Sequence, residues 1–200
     1  MAMDFTALQE QLRSSFFLFC LACISCQSSM TDESSLQLFN ADNINIQNKN
    51  GIIYLNEQPF SGKVFQLSPL TKDTVELIGY LNGKEHGEWR HYYPNKQIEE
   101  IRYYDNGDKI KTLTRWWENG QKQFFCTFKD GEYDGALTEW NRDGQVVRAM
   151  HYKNGYEEGN QKAYYNNGKV RSNYVIINGK RRGLLGTKNC VNVSDSIFKK

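Results

Sequence analysis

Proline is scarce in this chain of 200 residues, and so are long apolar runs, histidine and one-signed charge. Three prolines leave most of the backbone free to donate hydrogen bonds. No stretch is long enough for a well-capped helix with apolar residues at helical spacing, which points away from helical bundles. The three histidines, His86, His91 and His151, share no motif, and beyond residue 26 no Cys-x-x-Cys pair suggests a metal. A phosphate-cradling glycine loop, a Gly-x-Ser-x-Gly elbow and a His-Glu-x-x-His pair are all missing. The acidic residues Glu99-Glu100, Glu118, Glu139 and Glu157-Glu158 do not recur at one spacing, so no converging carboxylate pair is expected. The chain therefore reads as non-catalytic, without cofactor or metal. A net charge of +2 gives no case for nucleic acid.

What is present is a repeat with a step of 24 residues. Asn82-Gly83, Asn106-Gly107, Asp130-Gly131, Asn154-Gly155 and Asn178-Gly179 keep that step, and Asn95-Lys96, Asn119-Gly120, Asp143-Gly144 and Asn167-Gly168 interleave with it. A third series runs Gly87, Lys111, Gly135, Gly159 and Gly183, with Gly62 one residue out of phase before it. Asn-Gly and Asp-Gly suit two-residue hairpin turns, because both central residues of a type I′ turn need positive φ. Between the turns lie segments rich in aromatic and β-branched residues, such as Ile98 to Tyr104, Phe124 to Phe128 and Val170 to Ile177. The expected fold is all-β: an elongated antiparallel meander of repeated hairpins forming one open sheet. Tyr80, Tyr104, Phe128, Tyr152 and Ile176 keep step, as do Tyr92, Trp116, Trp140 and Tyr164, so each set should form a ladder. The second, unbroken set reads as the core ladder.

The pattern Gly-x-Trp-x-x-Tyr-Tyr-x-Asn at Gly87 to Asn95 resembles the variant form of the MORN repeat. Gly135 to Asp143 keeps Trp140 but carries Asn141 at the second aromatic position, and Gly159 to Asn167 keeps the form well. The segment Tyr54 to Val64 resembles the opening of bacterial YwqK-like antitoxins. The resemblance covers roughly residues 51–183 and implies a binding module, with neutralisation of a toxin, in the manner of an antitoxin or immunity protein, as one possible use.

Residues 14 to 25 form an apolar run of 12 with Arg13 at its edge. That is too short for a bilayer span of about 20 residues and suits a secretory leader. Ser25 before Cys26 resembles a bacterial lipoprotein processing site, with Cys26 acylated as the mature N-terminus. Cys23 is the competing site, and plain secretion to the periplasm or beyond is the alternative. The expected organisation is a leader over 1–25, a tether over 26–50, about five repeats over 51–183, and a tail or cap over 184–200. Without the leader, which holds Arg13, Asp4 and Glu10, the net charge is +3. Cys126 reads as a small core residue, and a bridge to Cys190 stays open.

Tyr92-Tyr93, Trp116-Trp117 and Tyr164-Tyr165 are adjacent pairs whose members must point to opposite faces of a strand. With the first of each pair in the ladder, Tyr93, Trp117 and Tyr165, with Arg115 nearby, are the candidate partner-binding face. The function expected is that of a membrane-tethered scaffold binding another envelope protein or a toxin. Binding of lipid or glycan through the aromatic face is a further alternative.

Overall fold

Positive φ at both central residues of the five Asn-Gly and Asp-Gly pairs sets the frame of the fold: 51° and 81° at Asn82-Gly83, 51° and 80° at Asp130-Gly131, with the other three alike. These are the values a type I′ turn demands, and each pair reverses the chain between antiparallel strands. The computed structural model describes residues 36–184. In chain order the strands are β1 (Leu38–Asn40), β2 (Ile46–Lys49), β3 (Ile52–Leu55), β4 (Gln58–Pro59), β5 (Gly62–Leu67), β6 (Thr74–Leu81), β7 (Lys84–Glu85), β8 (Gly87–Tyr92), β9 (Ile98–Asp105), β10 (Asp108–Trp116), β11 (Lys122–Lys129), β12 (Glu132–Trp140), β13 (Val146–Lys153), β14 (Tyr156–Glu157), β15 (Gly159–Tyr164), β16 (Val170–Ile177) and β17 (Lys180–Leu184). From β5 onward neighbours in sequence are neighbours in one sheet, with the short β7 and β14 pairing beside the path on β6 and β13.

The interleaved pairs make a different turn. At Asn119-Gly120 only Gly120 has positive φ, 83°, and at Asn95-Lys96 only Lys96 does, 69°. The Gly120 N–H donates to Trp117 O at 2.8 Å and the Trp117 N–H to Gln121 O at 2.7 Å. That is a three-residue loop, a type I turn closed by one left-handed residue. Asn119 accepts from the Gln121 N–H through its side chain, which explains the asparagine at this place. The third glycine series falls at breaks in strand register, except Gly183, which sits in a regular ladder opposite Tyr174. Between β9 and β10 the register slips from Ile110↔Tyr103 to Leu113↔Arg102, across Lys111. Lys111 keeps the glycine conformation, with φ of 56°. Lys111→Gly should therefore stabilise the fold by about 0.5–1 kcal/mol, the strain relieved less the added unfolded-state freedom. A rise in the urea midpoint at unchanged slope checks this.

The all-β open sheet of consecutive hairpins is as expected, and only its N-terminal end departs from a purely antiparallel single sheet. β1 pairs in parallel with β5, Phe39 against Val64, so the main sheet is mixed. β2, β3 and β4 form a separate three-stranded sheet. Within residues 26–50, read from sequence as a tether, Leu38–Asn40 and Ile46–Lys49 thus form strands, with a short 3-10 turn at Ala41–Asn43 between them. Phe39 supplies the reason, packing edge-on against Phe60 with centroids 5.3 Å apart, while Phe60 meets Tyr80 at 5.9 Å. The leader, Cys23, Cys26, Cys190 and the tail beyond Leu184 lie outside the described residues.

The core row is also not the one expected. Leu113, Cys126, Leu137 and Met150 are buried and stand opposite one another across β10 to β13. Phe124, Phe128 and Tyr152 pack against them. Tyr92, Trp116, Trp140 and Tyr164 are only half-buried, since each is the last residue of its strand and has turns rather than strand centres for neighbours. Tyr104 and Ile176, of the other set, are buried. Cys126 is a free thiol with no exposed surface, and burial pushes it up to about 12.

Candidate partner-binding edge

Tyr93, Trp117 and Tyr165 begin three of the three-residue loops, and Asn141 begins the fourth. Each N–H donates to the carbonyl four residues on, at 2.7–2.9 Å. The loops therefore align along one side of the sheet, 24 residues apart.

Two of these aromatic residues stitch one repeat to the next. The Tyr93 hydroxyl donates to Trp116 O at 2.9 Å, and the Trp117 indole N–H donates to Trp140 O at 3.3 Å. Asn95 and Asn119 reinforce the stitch, donating to Glu118 O and Arg142 O at 3.3 Å each. Partial burial raises the Tyr93 phenol above its ordinary range, with Glu99 and Glu118 adding to it. The Arg142 guanidinium stacks over the Trp117 ring at 4.9 Å. On the opposite side of the sheet the type I′ turns are stitched by backbone bonds, Gly107 N–H to Glu85 O, Gly131 N–H to Lys109 O and Gly155 N–H to Tyr133 O, at 2.8–3.1 Å, and the Asn154 N–H adds a bond to Asp134 Oδ2 at 3.2 Å.

Asn141 breaks the aromatic series, and its side chain stays within its own loop. It accepts from the Asp143 and Gln145 N–H groups and donates to Gln145 Oε1 at 3.0 Å. An open groove of about 340 Å³ lies there, lined by Arg115, Trp117, Trp140, Asn141 and Asn166 among others. Of the four residues expected to form a partner-binding face, the structure brings Arg115 and Trp117 into this groove. Tyr93 lies one repeat before it. Tyr165, 44% exposed, sits beside Asn166 without lining it. Trp140 and Phe124 also line the groove. Sequence reasoning had placed Trp140 in the core, and only its position at a strand end could have signalled otherwise.

Arg115 is held from below. Its Nε and Nη2 donate to Glu100 Oε2 at 2.9 and 2.8 Å. Glu100 is only 4% exposed and also receives Arg102 on its other oxygen. Arg102 lies over the Trp89 ring at 4.2 Å. Glu139, on the groove wall, pairs with Arg148 at 2.8 Å. Among the described residues no three His, Cys, Asp or Glu side chains are grouped to hold a metal. No helix among them is long and apolar enough to cross a membrane.

Comparison with known sequences fits the alternation of hairpin, bulge and three-residue loop. Three segments match the MORN repeat variant. They are residues 85–107, 133–154 and 157–174. Each MORN-variant match begins near a type I′ turn and runs through a three-residue loop into the following strand. The hairpin with Lys111 in its bulge falls between the first two MORN-variant matches. No curated protein matches the chain. Among solved structures, an S. aureus TarM mutant in complex with fondaparinux, alpha-GlcNAc-glycerol and UDP aligns at 20% identity with a TM-score of 0.30, over 49% of this chain and 20% of TarM. A second TarM structure aligns at 18% identity with the same TM-score, over 49% and 19%. The chain thus spans about a fifth of TarM's length, and a likeness of that degree carries no argument about fold or function.

Proposed function

We propose that this protein is a non-catalytic repeat scaffold that binds another protein along the edge formed by its three-residue loops. The groove at Arg115, Trp117 and Trp140 is the observation that carries this reading. Half-buried tryptophans beside arginine are the composition that protein interfaces concentrate at their centres. Most of the described glycines hold the positive φ of turns and bulges, so their number calls for no cofactor to explain it. The leader read from the sequence supports acylation at Cys26 and placement at the bacterial cell envelope, where the partner would be an envelope protein or an incoming toxin.

Site-specific photo-crosslinking in native cells tests the proposal. A crosslinking residue at Tyr165 should trap one dominant protein, and the same residue at Lys129, beside a type I′ turn, should trap little. Equal patterns from both sites, or none from either, would remove the reading. A toxin as the trapped partner would make the protein an immunity factor, and lipid or glycan adducts alone would end the case for a protein partner.

A further inference from the structure

We infer that the groove beside Asn141 is a socket for a tyrosine or tryptophan side chain of the partner, presented on an acidic segment. This deepens the scaffold reading and rests on it. The repeat itself identifies the guest. In two successive units the residue at this place is an aromatic donor whose ring covers the edge and bonds the carbonyl 23 residues on, Tyr93 to Trp116 and Trp117 to Trp140. Asn141 is the next in that series, and its side chain turns back into its own loop. The groove opens where the third ring would lie, between Trp140 and Asn166.

Two further observations define the guest's chemistry. Gln123 lines the groove, and its Oε1 is buried without a hydrogen-bond partner, so a turn of this side chain toward the groove would present an acceptor there. A guest carrying an O–H or N–H can answer that acceptor, as phenylalanine or leucine cannot. The rim is unevenly charged. Arg115 is answered by Glu100 and Arg148 by Glu139, but Arg142 lies over Trp117 with no carboxylate paired to it among the described residues. Acidic residues flanking the guest ring would meet that charge. At about 340 Å³ the groove is at the small end of ligand pockets, suited to one side chain and its flanks.

The test uses the full-length chain with 15N-labelled tryptophan and a short peptide, Glu-Glu-Trp-Glu-Glu with blocked ends. The indole signals of Trp117 and Trp140 should shift saturably, while that of Trp89 stays fixed. Peptides with leucine at the centre or lysine in the flanks should bind about tenfold more weakly, a typical effect of one anchor or one charge reversal. Asn141→Tyr fills the socket from within and should abolish the shifts without lowering Tm. Arg142→Glu, on an exposed loop, should turn the preference toward the lysine-flanked peptide. Unmoved indole signals, equal binding of the leucine peptide, or shifts that persist in Asn141→Tyr would overturn the socket. A partner crosslinked at Tyr165 alongside unmoved indole signals would leave the scaffold standing and the socket refuted.

Discussion

Gly83→Val should cost about 2–5 kcal/mol of folding stability, more than the same change at an equivalent turn. Gly83 has φ of 81°, where a β-branched residue is strained by about 1–2 kcal/mol. Space adds the rest. A Cβ built on Gly83 would lie 2.5 Å from Ile52 Cγ2 and 2.7 Å from Ile53 O, so backbone must move, at about 1–3 kcal/mol more. The bonds that would break join the small sheet to the main one: Ile53 N–H to Gly83 O at 2.8 Å and Gly83 N–H to Phe60 O at 2.7 Å. Gly131 supplies the comparison. Its φ is 80°, but its Cβ would meet only the Asp108 side chain at 3.7 Å, an ordinary contact. Gly131→Val should therefore cost about 1–2 kcal/mol, from strain alone. Urea denaturation gives both values, and hydrogen exchange at the Ile53 amide shows whether the small sheet detaches first. Equal costs at the two positions would mean that this sheet contributes nothing to stability.

The five type I′ turns were legible in the sequence because their requirement is local: positive φ at two adjacent residues selects Asn-Gly or Asp-Gly. The interleaved pairs look alike in sequence but close a different loop, since only the bonds from Trp117 to Gln121 and from Gly120 to Trp117 distinguish the two. Lys96 and Lys111 hold glycine-like φ because their neighbours fix the register, an effect no residue preference reports. β1 was not legible, as its partner is a strand 25 residues away in parallel register. The core row was misplaced for a related reason. Aromatic periodicity marks the strand ends, whereas burial falls on Leu113, Cys126, Leu137 and Met150 at the strand centres, where neighbours crowd from both sides. The interruption at Asn141 was visible as a break in a series. That the break lies beside an open groove required the stitching bonds of Tyr93 and Trp117 to show where its ring would have gone.

Glu100→Ala should destabilise the protein by about 2–4 kcal/mol, and its effect should reach the groove. Removing one member of a buried ion pair costs about 3–5 kcal/mol, because the remaining charge is left without an answer. Here the value is reduced, since the Arg115 side chain is 40% exposed and can turn toward water. Arg102 has less freedom, lying between Trp89 and the Tyr104 hydroxyl, so most of the cost should fall on it. A double-mutant cycle separates these contributions. Glu100→Ala with Arg115→Ala should show a coupling above about 1 kcal/mol, whereas the more exposed Glu139–Arg148 pair should show about 0.5 kcal/mol or less. Glu100→Gln keeps the shape and loses the charge, and should fall between wild type and alanine. Because the carboxylate also fixes the guanidinium that lines the groove, Glu100→Gln should weaken the acidic peptide less than Arg142→Glu does, and should not reverse its charge preference. Reversal by Glu100→Gln would mean that Arg115, rather than Arg142, reads the partner's charge.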